Sequence, residues 1–227
     1  MNQVSIPKVL LGVIDNKRPE FLAATIESLQ KNINYNFGYK VLINDSGDAE
    51  YARFLESVYG DYFDQIISHK ENLGLSGSIR SLWALAEELD VDYVWHQEGD
   101  FTFNENISIE HIIKILENDR FLAQVALKRQ PCNPTELEYG GFMELNRDSY
   151  LYNDELNYLS HSNFFTLNPS LYPRWVYKLG WESGWGEAEF SSMLFSNRFL
   201  KCGYLGSLID QPKVLHIGGY RAEGWFV

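Results

Sequence analysis

The chain has 227 residues, of which 45% are hydrophobic and 22% are charged, and this composition excludes a disordered or fibrous protein. The length suits either one sizeable core or two small ones, and we expect one domain. The formal net charge of −12 disfavours non-specific binding to nucleic acids and to anionic membrane surfaces.

Short apolar runs alternate with amphipathic segments over the first half of the chain. They predict strands at 8–14, 39–43, 65–68 and 93–96, and helices at about 20–32, 49–59, 76–89 and 109–118. Pro19 suits the first turn of the first helix. Because strands alternate with helices, we predict an α/β fold with a largely parallel sheet and right-handed crossovers.

The alternation fades in the second half, where proline, asparagine and aromatic residues become frequent. An apolar stretch at 121–127 precedes this change, and one further helix is predicted at about 187–198. We place a boundary near Pro131. Residues 1–130 are predicted to be a donor-binding, nucleotide-binding half, and residues 131–227 an acceptor-binding half of the same single domain.

Sorting signals and cysteine pairs are not evident in the sequence. No uninterrupted apolar run approaches the roughly 20 residues that a membrane helix needs, and the first residues lack the segments of a signal peptide. We therefore expect a cytoplasmic protein without a membrane segment. Cys132 and Cys202 have no metal-binding or redox spacing, so free thiols are expected.

Polar loops follow the predicted strands, and they lie at 15–18, 45–48, 72–74 and 98–100. In wound α/β proteins, ligands bind beyond the carboxyl ends of the strands. We therefore expect these four loops to converge on one rim of the sheet and to form a ligand site there.

Two carboxylates one residue apart, Glu98 and Asp100, end the fourth predicted strand. Such oxygen ligands suit Mg²⁺ or Mn²⁺ bridging nucleotide phosphates, although a polar loop with a helix-capping acid is the alternative. His216 would add an imidazole, which manganese tolerates, and Arg221 would meet the diphosphate charge. The other histidines lack the spacing of a second metal site and are expected to be structural or exposed: His69, His96, His111 and His161.

The densest cluster of glycine, aromatic and acidic residues lies at 180–190. Trp181 and Trp185 offer flat surfaces that suit a sugar or a base. Glu187 or Glu189 would accept a proton from an acceptor hydroxyl. The alternative is the start of a helix whose acids complement the macrodipole, and we favour the functional interpretation because the cluster lies in the predicted acceptor half.

The order of these motifs resembles the family 2 type glycosyltransferases over about residues 8–130. The motifs are an Asn-x-Arg-Pro-like loop at 16–19, Asn-Asp-Ser-Gly at 44–47, Glu-Asn-x-Gly at 71–74 and the acidic pair at 98–100. Beyond them the resemblance rests on 184–190 and His216. It implies the glycosyltransferase A fold, a doubly wound, Rossmann-like, mostly parallel sheet with a small acceptor-side subdomain.

The resemblance also implies roles for donor-site residues. Asp45 would contact the uracil or ribose of the donor, and Arg18 would lie in the first nucleotide-binding loop. Independently of the resemblance, Asn72 and Gly74 are expected to shape the loop after the third strand rather than to perform chemistry, and that loop would touch the donor diphosphate.

The resemblance carries over to the metal site and the base with two departures. The family binds metal through Asp-x-Asp, but Glu98 stands at the first position here, so Asp100 is the firmer ligand and His216 resembles a late histidine that completes the site. The family's base usually lies in a Glu-Asp pair at a helix start. Because Ala188 replaces that aspartate, Glu187 is the candidate base and Glu189 the reserve.

Together these inferences predict a metal-dependent glycosyltransferase that moves a sugar from a nucleotide diphosphate donor to an acceptor hydroxyl with inversion. A UDP-linked donor and Mn²⁺ or Mg²⁺ are the expected cofactors. The acceptor stays open among a glycan, a small molecule, a protein and a modified nucleobase, with nucleic acid disfavoured by charge. The alternatives are an inactive sugar-nucleotide or glycan-binding domain and a sugar nucleotidyltransferase, which the glycine-free loop at 15–18 disfavours.

Overall fold

A computed structural model describes residues 6–219 of the chain. The first half contains β1 (Val9–Asp15), α1 (Pro19–Asn32), β2 (Tyr39–Asn44), α2 (Ala49–Tyr59), β3 (Gln65–Ser68), α3 (Gly74–Glu88), β4 (Tyr93–Glu98), β5 (Phe101–Phe103), α4 (Ile109–Asn118) and β6 (Leu122–Ala126). The second half contains α5 (Pro134–Tyr139), α6 (Phe142–Leu145), a 3₁₀ turn (Arg147–Ser149), β7 (Leu151–Asn153), β8 (Tyr158–His161), β9 (Ser170–Pro173), α7 (Arg174–Tyr177), α8 (Glu187–Leu194), β10 (Lys201–Leu205) and β11 (Val214–His216).

The main sheet of the described residues has nine strands in the order β3-β2-β1-β4-β9-β6-β10-β8-β7. Seven of them run in one direction, whereas β8 and β9 run in the opposite direction. A separate antiparallel ribbon joins β5 to β11. The predicted α/β architecture with a mostly parallel sheet is therefore confirmed.

Helices cover both faces of the sheet because the side chains of a strand alternate between its faces. Val9, Leu11 and Val13 of β1 pack in the cluster that contains α1, α2 and α4. Leu10 and Ile14 pack in the opposite cluster, which contains α3, α7 and α8. All seven residues of β1 are buried, which explains why this strand reads as a continuous apolar run.

A strand from the second half of the chain lies at the centre of the sheet. β9 pairs antiparallel with β4 on one side and with β6 on the other. Residues on both sides of the predicted boundary near Pro131 thus share one sheet. Helix α8 ends at Leu194, four residues before the predicted end, where Phe195 leaves helical geometry and Asn197 Oδ1 accepts the backbone N–H of Phe199.

Two further expectations can be compared with the described residues. Cys132 and Cys202 are free thiols, as predicted. Within residues 6–219, no helix has both the length and the apolar character that crossing a bilayer requires.

Two buried histidines make the fold sensitive to acid. Burial lowers the pKa of His96 to about 3 and the pKa of His161 to about 4. The unfolded chain binds these protons near pH 6.5, so the unfolded state gains protons first and stability falls as the pH drops below that value. We expect the change from about pH 7 to about pH 5 to reduce the free energy of unfolding by about 2 kcal/mol per histidine.

Urea denaturation at the two pH values measures this loss. His161→Phe keeps a ring beside Tyr204, whose ring stacks on His161, and it should remove about half of the pH dependence. Equal stability of the unmodified protein at both pH values would contradict the expectation.

Candidate functional site

The carboxyl end of β1 carries an aspartate that the site prediction did not include. Asp15 is the last residue of β1 and is buried. Tyr51 Oη donates a hydrogen bond to Asp15 Oδ2 at 2.6 Å. Burial raises the pKa of Asp15, and the bond from Tyr51 offsets part of that rise. The only sequence signal for Asp15 was its place at the end of the first strand.

The predicted nucleoside contact Asp45 follows β2 and is held from two directions. His69 Nδ1 lies 2.7 Å from Asp45 Oδ1, and the backbone N–H of Leu73 donates to the same oxygen at 2.8 Å. His69 Nε2 is 2.9 Å from Ser81 Oγ, so the ring is fixed at both nitrogens. Apart from the position of His69 directly after β3, no sequence pattern predicted this orienting role.

The loop before α3 forms as predicted around Asn72 and Gly74. Asn72 Oδ1 accepts the backbone N–H of Gly74, and Gly74 adopts a positive φ of 71°, which favours glycine. Gly74 begins α3, a helix of 15 residues, and its first turn lines a small cavity with Asp45. Helix N-termini present unpaired N–H groups and positive potential, which suit phosphate oxygens.

Arg18, Asp100 and His216 meet at the junction of β4, β5 and β11. Arg18 Nη1 donates to Asp100 Oδ2 at 2.5 Å, and Arg18 Nη2 donates to the carbonyl of Gly218 at 2.7 Å. His216 Nε2 is 3.2 Å from the same Asp100 oxygen. A Cβ on Gly218 would lie 2.1 Å from Asp100 Oδ2, so a larger residue there would displace the paired side chains of Asp100 and Arg18.

The ribbon of β5 and β11 fixes the position of His216. The His216 ring stacks on Phe101 with a centroid separation of 4.8 Å. Gln130 holds the histidine backbone at both polar groups, because its Oε1 accepts the N–H at 2.9 Å and its Nε2 donates to the carbonyl at 3.0 Å. The backbone N–H of Ile217 donates to the carbonyl of Asp100 at 2.8 Å, which ties the ribbon to the acidic motif.

Asp100 and His216 fit a divalent cation. Asp100 Oδ1 is buried without a hydrogen-bond partner among the described residues, and an oxygen of this kind suits a cation. No group of three or more His, Cys, Asp or Glu side chains within residues 6–219 is arranged for a metal. A cation bound there would therefore also need oxygen ligands from phosphate or water to complete its shell. Arg18 holds the other Asp100 oxygen in this structure.

The two candidate bases at the start of α8 differ in their surroundings. Glu187 Oε1 accepts hydrogen bonds from the backbone N–H of Leu167 and from Thr166 Oγ1. Desolvation of its carboxyl group outweighs these bonds and raises the pKa of Glu187. Glu189 Oε2 instead accepts the backbone N–H of Gly186, a helix-capping bond that lowers the pKa of Glu189. Glu189 thus matches the alternative interpretation of this motif, an acid at a helix start.

The interpretation of Trp181 as a ligand surface was wrong. Trp181 is buried, and its ring packs against the rings of Trp83, Phe165 and Phe190. Burying these aromatic rings lowers the free energy of the folded state, because it removes their apolar surface from water. Arg221, the predicted diphosphate contact, lies outside the described residues.

Two adjoining cavities collect the predicted site residues. The smaller has a volume of about 60 Å³ and is lined by Arg18, Asp45, Asn72, Gly74, Glu98 and Asp100. The larger has a volume of about 480 Å³ and is lined by Arg18, Glu98, Asp100, Glu187, Glu189 and His216. The shared wall of Arg18, Glu98 and Asp100 makes the cavities neighbours, so the structure brings together every predicted site residue that it describes.

Comparisons with known proteins bear on the fold. No protein-family model and no curated protein sequence matches this chain. A crystal structure of GalNAc-T7 with UDP, GalNAc and Mn²⁺ matches 98% of this chain with a TM-score of 0.65 and 14% sequence identity. GalNAc-T7 is a glycosyltransferase of the A fold.

This chain has a glycosyltransferase A-like fold. It corresponds to 45% of the length of the GalNAc-T7 chain. The glycosyltransferase A-like fold does not distinguish family 2 from other families, so the family 2 resemblance still rests on the motifs.

Proposed function

We propose that this protein is a metal-dependent glycosyltransferase that transfers a sugar from a UDP-linked donor to an acceptor hydroxyl. One observation carries the proposal. Residues from distant parts of the chain, Arg18, Asp100, Glu187 and His216, line the same cavity of about 480 Å³. The match to a structure crystallised with UDP, GalNAc and Mn²⁺ supports the same conclusion at the level of fold.

Donor binding would use both cavities, because the smaller one holds only about 60 Å³ and known ligand pockets hold roughly 300–1,000 Å³. Asp45, oriented by His69, would accept a hydrogen bond from the uracil or ribose. The N-terminus of α3 at Gly74, with Arg18, would face the diphosphate. Arg221 remains a proposed contact of the diphosphate, and Glu98 remains a proposed contact of the metal.

Asp100 and His216 would hold Mn²⁺ or Mg²⁺. A bound cation supplies neutralisation of the charge that develops on the departing diphosphate. Arg18, which already pairs with Asp100, would contribute positive charge at the same place.

Glu187 is the proposed base. Its carboxylate, with a raised pKa, would remove the proton from the acceptor hydroxyl as the oxygen attacks the anomeric carbon from the face opposite the diphosphate. The proposal therefore includes inversion at that carbon. An inactive domain that binds sugar nucleotides is the second candidate, because Ala188 replaces the aspartate of the family pattern.

Thermal unfolding with UDP, GDP, CMP and dTDP, each with Mn²⁺, Mg²⁺ or EDTA, tests the proposal. A ligand that binds only the folded state at a hundredfold excess over its Kd stabilises by about 2.7 kcal/mol, which raises the Tm by about 5–10 °C for this size. We expect UDP with Mn²⁺ to give the largest shift and EDTA to reduce it. No shift with any nucleotide under any metal condition would overturn the proposal.

A further inference from the structure

A third cavity lies on the other side of the candidate base. It has a volume of about 620 Å³, within the range of roughly 300–1,000 Å³ that is usual for ligand pockets. It shares Arg129, Asn168, Glu187 and Ala188 with the cavity that contains Asp100 and His216. Glu187 therefore stands between two spaces, one beside the candidate metal ligands and one of unassigned use.

One wall of this third cavity is aromatic. Phe142 is 42% exposed, and its ring meets the edge of the Phe164 ring at a centroid separation of 4.9 Å. Phe164 in turn lies 4.8 Å from the His161 ring and 6.3 Å from the Tyr204 ring. The interlocked rings give a fixed apolar surface, which suits the C–H face of a sugar ring as well as any flat apolar group.

Glu144 adds a polar, negatively charged group to the lining of the third cavity. Its Oε1 accepts a hydrogen bond from Lys128 Nζ at 2.7 Å, whereas Oε2 is buried without a hydrogen-bond partner among the described residues. A Cβ on Gly141 would lie 2.2 Å from that second oxygen, so the glycine makes room for the carboxylate. A buried carboxylate oxygen without a partner is unfavourable unless a donor reaches it, and ligand hydroxyl groups are such donors.

The cations of the cavity wall are already paired. Lys128 Nζ donates to Glu144 and to the carbonyls of Leu208 and Asp210 at 2.7, 2.8 and 3.0 Å. Arg129 forms two bonds with Glu136 at 2.7 and 2.9 Å. Both described cations of the lining are therefore already paired, so neither is available to bind a phosphate or a carboxylate ligand. The negative charge of Glu144 would repel such an anionic ligand.

From this combination we infer that the third cavity binds a neutral glycan as the acceptor, an inference that rests on the proposed function. The glycan ring lies on the aromatic wall, its hydroxyl groups donate to Glu144, and one hydroxyl reaches Glu187. That hydroxyl gives its proton to the Glu187 carboxylate, and its oxygen forms the new bond to the anomeric carbon. The bond from that carbon to the diphosphate oxygen breaks, and its electron pair leaves with the nucleoside diphosphate.

The test measures binding of the full chain to immobilised lactose, N-acetyllactosamine, cellobiose, maltose, chitobiose and mannobiose. Phosphorylated sugars, glucuronides and Ser/Thr peptides on the same surface provide the competing ligand classes. We expect at least one neutral disaccharide to bind, and Phe142→Ala to weaken that binding about tenfold through loss of the aromatic surface. Leu145→Ala is the matched control, because Leu145 is exposed on the same short helix and does not line the cavity.

The outcomes separate this inference from the proposed function. Absence of binding to every neutral disaccharide, binding to anionic sugars or peptides alone, or equal binding by Phe142→Ala would each overturn the glycan assignment. The UDP-induced thermal shift, measured on the same samples, reports separately on the donor site. Glycan binding that depends on Phe142, without a thermal shift from any nucleotide, would support the glycan cavity and contradict the proposed transferase activity.

Discussion

Replacing Asp100 with asparagine is expected to lower metal-dependent turnover by about a hundredfold to a thousandfold, the usual effect of losing a group that stabilises developing charge. The substitution preserves the shape of the side chain but removes the charge that Arg18 Nη1 and His216 Nε2 now face. It also replaces a proposed metal ligand with a neutral group. The metal dependence of UDP binding should disappear together with turnover.

Slow hydrolysis of UDP-sugars without an acceptor, measured with Mn²⁺ and with EDTA, is a suitable readout. Asp154→Asn is the matched control, since Asp154 is an exposed acid in the turn between β7 and β8. Thermal unfolding without ligand shows whether loss of the Arg18 ion pair has weakened the fold. Unchanged hydrolysis that still requires Mn²⁺ would remove Asp100 from the metal site.

Replacing Glu187 with glutamine is expected to slow sugar transfer by about a hundredfold to ten-thousandfold, which is the range for loss of a general base. Glutamine keeps an oxygen that can accept the bonds from Leu167 and Thr166, so the start of α8 should hold its shape. The base acts only without its proton, and burial raises the pKa of Glu187. The transfer rate should therefore rise with pH, and the midpoint of this rise should lie above the ordinary pKa of glutamate. The Glu187→Gln variant should not show this rise.

Glu189→Gln supplies the comparison on the same helix. Glu189 Oε2 accepts the backbone N–H of Gly186, and glutamine keeps an oxygen for that bond, so this variant should fold normally and have little effect on rate. Stopped assays of sugar release across the pH range, together with UDP-induced shifts for both variants, provide the data. If Glu187→Gln keeps the original rate and pH profile while Glu189→Gln loses them, the two assignments exchange.

The first half of the fold was predictable because its signals are local. β3, α2 and α4 have the predicted bounds, since apolar periodicity and capping residues such as Asp48 and Ser108 mark their ends. β9 was not predicted. Its four residues, Ser170–Pro173, have no alternating pattern and end in proline, and they form a strand because β4 and β6 pair with them from both sides.

The site was predictable as a location rather than as a set of contacts. The rule that ligand loops follow parallel strands brought Arg18, Asp45, Gly74 and Asp100 to one rim, and these residues line one cavity. The pairing of Arg18 with Asp100 joins residues 82 positions apart and has no local signal. The same holds for the bond between Asp45 and His69, which depends on the register of β2 against β3.

The place of β9 also affects how the chain reaches its native state during synthesis. β6 precedes β9 and β10 in sequence, yet these two strands are its neighbours in the sheet. Until residues 170–205 leave the ribosome, both edges of β6 and one edge of β4 are open to pairing with other chains. Such distant pairings slow folding. A nascent chain halted near Pro131 would be a substrate for chaperones rather than a stable half-protein.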